Sequence, residues 1–212
     1  MDASTSTAVN PPPAPRAIPW WLLLPIVVGA FRGALLLRQL LLAAALWIVG
    51  CPGAGFNAHF GHGGMHAVGL QTCAPGQVVA PALIGVFGGG VLATALLAAF
   101  VRGFRPRSRH LAAFGYLFAL ASAAEVLSVS VIFALLGRFE PAVLEAAGLS
   151  RYLLVGVGLL GGLGWGLLAA RSSGMFVWAL GRSERHEPHF RRLVAFKLTA
   201  GSAIISLIRI MG

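Results

Sequence analysis

Two uninterrupted apolar segments constrain the fold of this chain most strongly. Val78–Val101 runs 24 residues, Leu111–Leu136 runs 26 residues, and Glu125 is the only acidic residue in either. The hydrocarbon core of a bilayer needs about 20 apolar residues of helix, so each segment is long enough to cross it. We therefore predict an integral membrane protein that is built of helices.

Three further apolar segments complete a predicted five-crossing helix bundle. These segments are Gly33–Gly50, Tyr152–Ala170 and Leu193–Met211. With 58% apolar and 10% charged residues, the composition suits a bundle in lipid rather than a soluble domain. We expect residues 17–212 to form a single membrane domain, and the polar, Pro-rich residues 1–16 to form a disordered tail.

The apolar stretch before the second crossing is interpreted as two pieces. A single helix over residues 17–50 would be about 50 Å long, which exceeds one crossing. Pro25 and Arg32 interrupt the apolar pattern. We therefore predict an all-α fold with an N-terminal interfacial helix over residues 17–31, followed by the first crossing over residues 33–50. The alternative is a hairpin of two crossings, each of which would be short.

Arginine is distributed unevenly between the predicted loops. The loops assigned to the cytoplasmic side hold nine arginines, whereas the opposite loops hold only Arg138 and Arg151. This bias predicts a cytoplasmic N-terminus and a C-terminus outside, and we expect a bacterial inner membrane. The formal charge of +10 comes mainly from arginines at the ends of apolar segments, where membrane topology accounts for them. We therefore expect no nucleic-acid partner. The nine arginines are Arg16, Arg102, Arg105, Arg107, Arg109, Arg182, Arg185, Arg191 and Arg192.

The only two cysteines, Cys51 and Cys73, share the loop of residues 51–77, which has no Lys or Arg and is assigned to the outside. An oxidising compartment permits a disulfide, and closing a loop of this length would stabilise the fold by about 3 kcal/mol. Two free thiols or a redox pair are the alternatives. We favour the structural disulfide, because the sequence has no Cys-x-x-Cys pattern.

Three histidines in the same loop, His59, His62 and His66, are candidate ligands for zinc or copper. Their spacings would place them on one face of a helix, and Met65 would suit copper. The intervening glycines argue against a stable helix, and no carboxylate is near to orient a ligand. His62 and His66 have the spacing of the two histidines in the zinc-protease pattern His-Glu-x-x-His, but the glutamate that serves as general base is missing. We favour a solvated polar loop, and an outward-facing metal-binding or redox loop is the alternative.

Glu125 is the only carboxylate within a predicted crossing, and it lies about 22 Å from the cytoplasmic end of its helix. A charge at that depth is costly and is a functional-site hypothesis by default. Arg209 lies at comparable depth in the fifth crossing and is the predicted partner. Arg38 lies near the start of the first crossing, and its side chain is expected to extend back to the headgroups. We favour a structural pair, and a proton or ion relay is the alternative.

Glycines are concentrated in the second and fourth crossings. Small residues let membrane helices approach closely, so these glycines are predicted to be packing positions rather than ligand sites. A dinucleotide-binding interpretation fails because no strand–turn–helix pattern surrounds them. The predicted packing positions are Gly88, Gly89, Gly158, Gly161, Gly162 and Gly166.

The sequence contains no catalytic, nucleotide-binding or complete metal motif, and no predicted crossing contains a histidine to hold haem. We therefore predict no cofactor and no enzymatic activity. The favoured function is a scaffold, assembly factor or partner subunit of a membrane complex. Its expected partners are the lipid bilayer and other membrane proteins or further copies of itself. A small transporter or channel that uses Glu125 is the first alternative.

Overall fold

A computed structural model of the protein describes residues 18–59, 64–181 and 188–189. Within these residues, four helices are long and apolar enough to cross a membrane. The predicted helical fold, with helices long and apolar enough to cross a membrane, is confirmed in that coarser form. The predicted fifth crossing, at residues 193–211, and the predicted tail, at residues 1–16, lie outside the described residues. The elements are α1 (Trp20–Ile48), β1 (Gly55–His59), β2 (Gly64–Val68), a 3-10 turn (Leu70–Thr72), α2 (Pro75–Val101), α3 (Arg109–Leu136), α4 (Phe139–Ala146) and α5 (Arg151–Ala179).

Helix α1 corrects the prediction of an interfacial helix followed by a separate crossing. One uninterrupted helix of 29 residues runs from Trp20 to Ile48, so the break predicted near residue 32 is wrong. Pro25 removes a single backbone hydrogen bond close to the helix start, and Arg32 is a good helix former, so neither residue ends the helix. The helix is about 44 Å long, so it is long enough to cross a hydrocarbon core with its ends at the level of the headgroups.

The four long helices form a bundle with α3 at its centre. Helix α3 packs against α1, α2 and α5, and it is the most deeply buried of the four, whereas α5 is the least buried. The ends of the bundle differ. One carries Cys51, Cys73 and helix α4, and we call it the disulfide end; the other carries the arginine-rich connection of residues 102–108, and we call it the arginine end.

The connection between α1 and α2 is more ordered than the predicted polar loop. Strands β1 and β2 form a two-stranded antiparallel hairpin in which Gly55 pairs with Val68 and His59 pairs with Gly64. The chain then turns at Gly69, whose φ is +104°. A Cβ on Gly69 would lie 2.8 Å from the Cα of Ala54, so both the backbone conformation and the space require glycine there.

The core at the arginine end is apolar and aromatic. Tyr116 is fully buried, stacks on Phe176 with 5.3 Å between ring centroids, and donates a hydrogen bond to the carbonyl of Ala169 at 2.8 Å. The indole Nε1 of Trp165 donates to Thr94 Oγ1 at 2.8 Å. These hydrogen bonds satisfy the polar tips of large rings inside an otherwise apolar core, as burial requires. The core at the disulfide end is different, because it contains charge.

Candidate functional site

The centre of the candidate site is Arg38, a buried arginine on α1. Its side chain is 4% exposed, and its nitrogens donate hydrogen bonds to three different elements. Nε donates to the carbonyl of Gly85 on α2 at 2.8 Å, Nη1 donates to Glu125 Oε1 on α3 at 3.1 Å, and Nη2 donates to Glu140 Oε1 on α4. The expectation that Arg38 extends to the headgroups is wrong, because its hydrogen-bond partners lie inside the bundle.

The residues around Arg38 come from one layer of the bundle. Arg38 precedes the end of α1 at Ile48 by ten residues, and Gly85 follows the start of α2 by ten residues. Glu125 precedes the end of α3 by eleven residues. At 1.5 Å per residue, all three lie about 15 Å from the disulfide end of their helices. The equal depths explain why a single guanidinium reaches all these elements.

Helix α4 brings the second carboxylate into this layer. The turn from α3 into α4 contains Gly137 with φ +60°, and Phe139, the first residue of α4, has φ +57°, which is rare for a bulky residue. The Phe139 ring packs edge-on against Phe133 with 4.9 Å between centroids. The turn directs α4 back onto the bundle, where Glu140 and Leu144 are buried. Helix α4 therefore closes the disulfide end of the bundle over Arg38.

Glycine at position 85 makes room for the cluster. A Cβ there would lie 3.2 Å from Cδ1 of Leu42 and 3.5 Å from Oε1 of Glu140. The same residue supplies the carbonyl that accepts a hydrogen bond from Arg38. A side chain at position 85 would therefore crowd the carboxylate of Glu140, whereas the backbone carbonyl of Gly85 accepts a hydrogen bond from Arg38. The glycines of the second crossing, Gly85 among them, were predicted to be packing positions, but the contact of Gly85 with Arg38 was not predicted.

Among the described residues, the guanidinium of Arg38 and the carboxylates of Glu125 and Glu140 form one buried group, which we call the Arg38 cluster. Glu140 is 6% exposed, and its Oε2 atom is buried without a hydrogen-bond partner in the described part of the chain. A buried carboxylate oxygen without a donor is costly, typically by about 1–3 kcal/mol or more for a charged group. The arrangement therefore leaves one buried acceptor at Glu140 open to a hydrogen-bond donor.

A π-helical turn lies next to Glu125. Helix α3 changes to π geometry over Ser128–Phe133 and then returns to α geometry. Such turns are rare and often occur at functional sites. Ser130 lies in this turn, donates to the carbonyl of Val126 at 2.6 Å, and faces Gly158 of α5, where a Cβ would clash with its hydroxyl. The π turn therefore sets how α3 and α5 pack beside the cluster.

Some predicted site residues lie outside the described residues. These are Arg209 and His62, so the pairing of Glu125 with Arg209 stays a prediction. Within the described part of the chain, Glu125 pairs with Arg38, a partner that sequence analysis did not assign to it. His59 ends β1 and His66 lies in β2, so their backbone is extended and the helical face considered for them does not form.

The predicted bridge between Cys51 and Cys73 is present in the structure. The sulfur atoms are 1.93 Å apart and the Cα atoms 4.8 Å apart. The bridge joins the end of α1 to the start of α2 across the hairpin. Gln77 reinforces the junction, because its Nε2 donates to the carbonyl of Val49 at 3.1 Å.

The predicted packing glycines differ in their surroundings. A Cβ at Gly88 would lie 3.1 Å from Leu41 of α1, and one at Gly162 would lie 2.6 Å from Leu127 of α3. Gly89 and Gly158 also lie against α3. Gly161 is covered by Trp165 of its own helix, and Gly166 has no described neighbour within 4 Å. Four of the six positions thus lie at contacts between helices.

Among the described residues, no group of three or more His, Cys, Asp or Glu side chains is arranged to hold a metal ion. Comparisons with protein-family models, with curated proteins and with solved structures find no match.

Proposed function

We propose that the protein is a non-enzymatic, polytopic inner-membrane protein that acts as a scaffold, assembly factor or partner subunit of a membrane complex. The observation that carries this proposal is the set of bonds made by Arg38, which ties α1 to α2, α3 and α4 at once. Each guanidinium nitrogen already has a partner within the protein. Buried ionic groups of this kind can specify one arrangement of helices, which is what a scaffold needs.

The surface of α5 supports association with other membrane helices. Leu153, Leu160 and Leu163 are exposed on it, and Gly156 and Gly164 have no described neighbour within 4 Å. Large apolar side chains beside glycines suit contact with lipid, and the glycines also permit close approach of a second helix. The proposed partners are accordingly the bilayer and either another membrane protein or a second copy of this chain.

The proposed topology places the disulfide end outside the cytoplasm. Two independent features support it: arginines concentrate at the opposite end, and disulfides persist in oxidising compartments. With residues 193–211 as a fifth crossing, the N-terminus is cytoplasmic and the C-terminus is outside. Labelling of single cysteines in a Cys-free variant tests this proposal: a cysteine at Ala54 should react from outside, and one at Arg105 should not. Labelling of position 105 from outside would show that the topology is the opposite of the proposed one.

A second candidate function is a small transporter or channel that uses Glu125. It is favoured by the second carboxylate of the Arg38 cluster, because Glu140 Oε2 is buried without a described hydrogen-bond partner. Carboxylates within membrane-spanning bundles form the proton relays of many pumps and transporters. In this function the cluster would exchange protons with the disulfide end, where α4 covers it.

Reconstitution into liposomes separates the two functions. Proton flux is compared between wild type, Glu125→Gln, Glu140→Gln and the control Glu145→Gln, which changes a carboxylate of α4 that is 37% exposed. The scaffold proposal expects the flux of wild-type liposomes to equal that of empty liposomes. A wild-type flux that is lost in Glu125→Gln and Glu140→Gln, but kept in Glu145→Gln, would contradict the scaffold proposal and support the transporter.

Purification from native membranes tests the scaffold directly. Mild detergent extraction followed by chemical cross-linking should recover the protein with a stoichiometric membrane partner or as a defined oligomer. Substituting Gly164 by Leu on the exposed face of α5 should weaken that association while leaving the monomer folded. A protein that remains monomeric without any partner in lipid nanodiscs and in native membranes would contradict the proposal.

A further inference from the structure

Two arginines at the arginine end lie against the ring of one tryptophan. The guanidinium carbon of Arg109, the first residue of α3, is 5.2 Å from the centroid of the Trp178 ring, and that of Arg105 is 5.9 Å from it. A guanidinium within about 6 Å of an indole ring is attracted by the quadrupole of the ring. Trp178, in the last turn of α5, therefore holds two like charges at most about 11 Å apart, although they repel each other.

A third arginine lies on the same face of α5. Arg171 precedes Trp178 by seven residues, which is close to two helical turns, so the two positions share a face about 10 Å apart along the axis. Arg171 is exposed and makes no hydrogen bond or ion pair with the rest of the described chain. It lies about 12 Å before the end of α5, and an arginine at that depth extends toward the headgroups, which is the direction of Trp178.

Exposed leucines continue this face of α5 toward the middle of the bundle. Leu167 lies about one turn before Arg171, and Leu160 lies about two turns before Leu167. The face thus presents positive charge near the end of the helix and an apolar surface directly below it. A ligand that covers both parts must combine an anionic group with a long apolar chain. An acidic peptide or a free phosphate ion would leave the leucines uncovered.

The chain has a large excess of positive charge around this end. Residues 102–109 and 171–192 contain nine arginines against two acidic residues, Glu184 and Glu187. The carboxylates that the structure describes, those of Glu125, Glu140 and Glu145, all belong to the disulfide end. An anionic ligand is therefore complementary in charge to the arginine end.

We propose that Arg105, Arg109 and Arg171 bind the phosphate of an anionic phospholipid, whose acyl chains lie along the exposed leucines of α5. Guanidinium groups form strong and often bidentate hydrogen bonds with phosphate. Basic clusters at the ends of membrane helices are a known basis for recognition of anionic lipids. Trp178 is a positioning residue, because its ring holds two of the guanidinium groups at the headgroup level, where tryptophan is favoured. The site rests on the proposed membrane location of α5 and is independent of the scaffold function.

Lipid titration of the full-length protein in detergent tests this site. The probes are phosphatidylglycerol and phosphatidylcholine with the same acyl chains, and bound lipid is measured by native mass spectrometry. Wild type should prefer phosphatidylglycerol by about fivefold or more, and Arg105→Gln and Arg171→Gln should each weaken its binding about fivefold, the effect of one basic residue near an anionic surface. The control Arg107→Gln removes an exposed arginine from the same connection and should leave the affinity unchanged.

Variants of Trp178 test its positioning role. Trp178→Leu removes the aromatic ring on which Arg105 and Arg109 lie, so it should weaken the binding of phosphatidylglycerol. Trp178→Phe keeps an aromatic face and should retain most of the affinity. Equal losses in the two variants would contradict the contribution of the ring.

Three results would overturn the site. One is equal affinity of wild type for the two lipids. Another is an equal loss in Arg105→Gln, Arg171→Gln and Arg107→Gln, which would show unspecific attraction to charge. The third is displacement of phosphatidylglycerol by inorganic phosphate or by a polyglutamate peptide at equal concentration. Thermal unfolding of each variant without added lipid should match wild type, which excludes loss of folding. Recovery of the protein in the membrane fraction tests the membrane location separately.

Discussion

The cores at the two ends of the bundle are built from different kinds of side chain. At the arginine end, the core consists of aromatic and small apolar side chains, with isolated hydrogen bonds from Tyr116 and Trp165. At the disulfide end, the core contains Arg38 and two carboxylates, under a short helix and beside a disulfide. Apolar packing is tolerant of small changes, whereas a buried charge depends on every partner. The disulfide end should therefore be the more sensitive to substitution.

The largest effect is expected from Arg38→Met. This change leaves the carboxylates of Glu125 and Glu140 without the guanidinium, and breaking one partner of a buried pair costs about 3–5 kcal/mol in soluble proteins. The free energy of unfolding, measured by denaturant titration in detergent, should fall by a similar amount. Arg107→Met, which changes an exposed arginine, is the control and should shift it by less than about 0.5 kcal/mol. Equal effects of the two changes would erase the contrast between the ends.

A smaller loss is expected from removing the disulfide. Replacing both Cys51 and Cys73 by Ala should lower the free energy of unfolding by about 3 kcal/mol, because the unfolded chain is no longer constrained across the hairpin. Reductant should lower the stability of wild type to that of the variant and should not affect the variant. A wild type that is insensitive to reductant, with thiols that alkylate freely, would show that the bridge is absent from the native protein.

The smallest effect is expected at the arginine end. Tyr116→Phe removes the hydrogen bond to the carbonyl of Ala169 while keeping the stacked ring, and should cost about 1 kcal/mol. The same substitution at Tyr152, which is 75% exposed, is the control and should leave stability unchanged. If Tyr116→Phe destabilised the protein as much as Arg38→Met, polar contacts would matter equally at both ends.

How much of each end could be predicted from the sequence follows from the same contrast. Apolar length located the four long helices of the described residues, and the shared loop located the disulfide, because both signals are local in sequence. To predict Arg38 as the partner of Glu125, one needs its depth in the bundle. That depth can be counted only when the bounds of α1 are known. Dividing α1 near Arg32 placed Arg38 close to a membrane surface. A single helix counted back from Ile48 gives it the depth of Glu125.

Other features had no usable signal in a single sequence. Glu140 lies outside every predicted crossing, and only the turn at Gly137 and Phe139 directs it into the bundle. The π turn at Ser128–Phe133 leaves the apolar pattern of α3 almost unchanged. The hairpin was obscured because its glycines and histidines resemble an irregular loop, although residues 56–59 alternate between apolar and polar.

The stability of a triple variant tests most directly whether Arg38 and its carboxylates act as one unit. Arg38→Met, Glu125→Leu and Glu140→Leu together replace the charges by apolar side chains, which can be as stable as the buried ionic group. Unfolding in detergent is compared with that of Arg38→Met alone and of Glu125→Leu with Glu140→Leu. We predict that the triple variant is more stable than either and recovers most of the loss. A triple variant whose loss equals or exceeds the sum of the two would contradict the Arg38 cluster as a coupled unit.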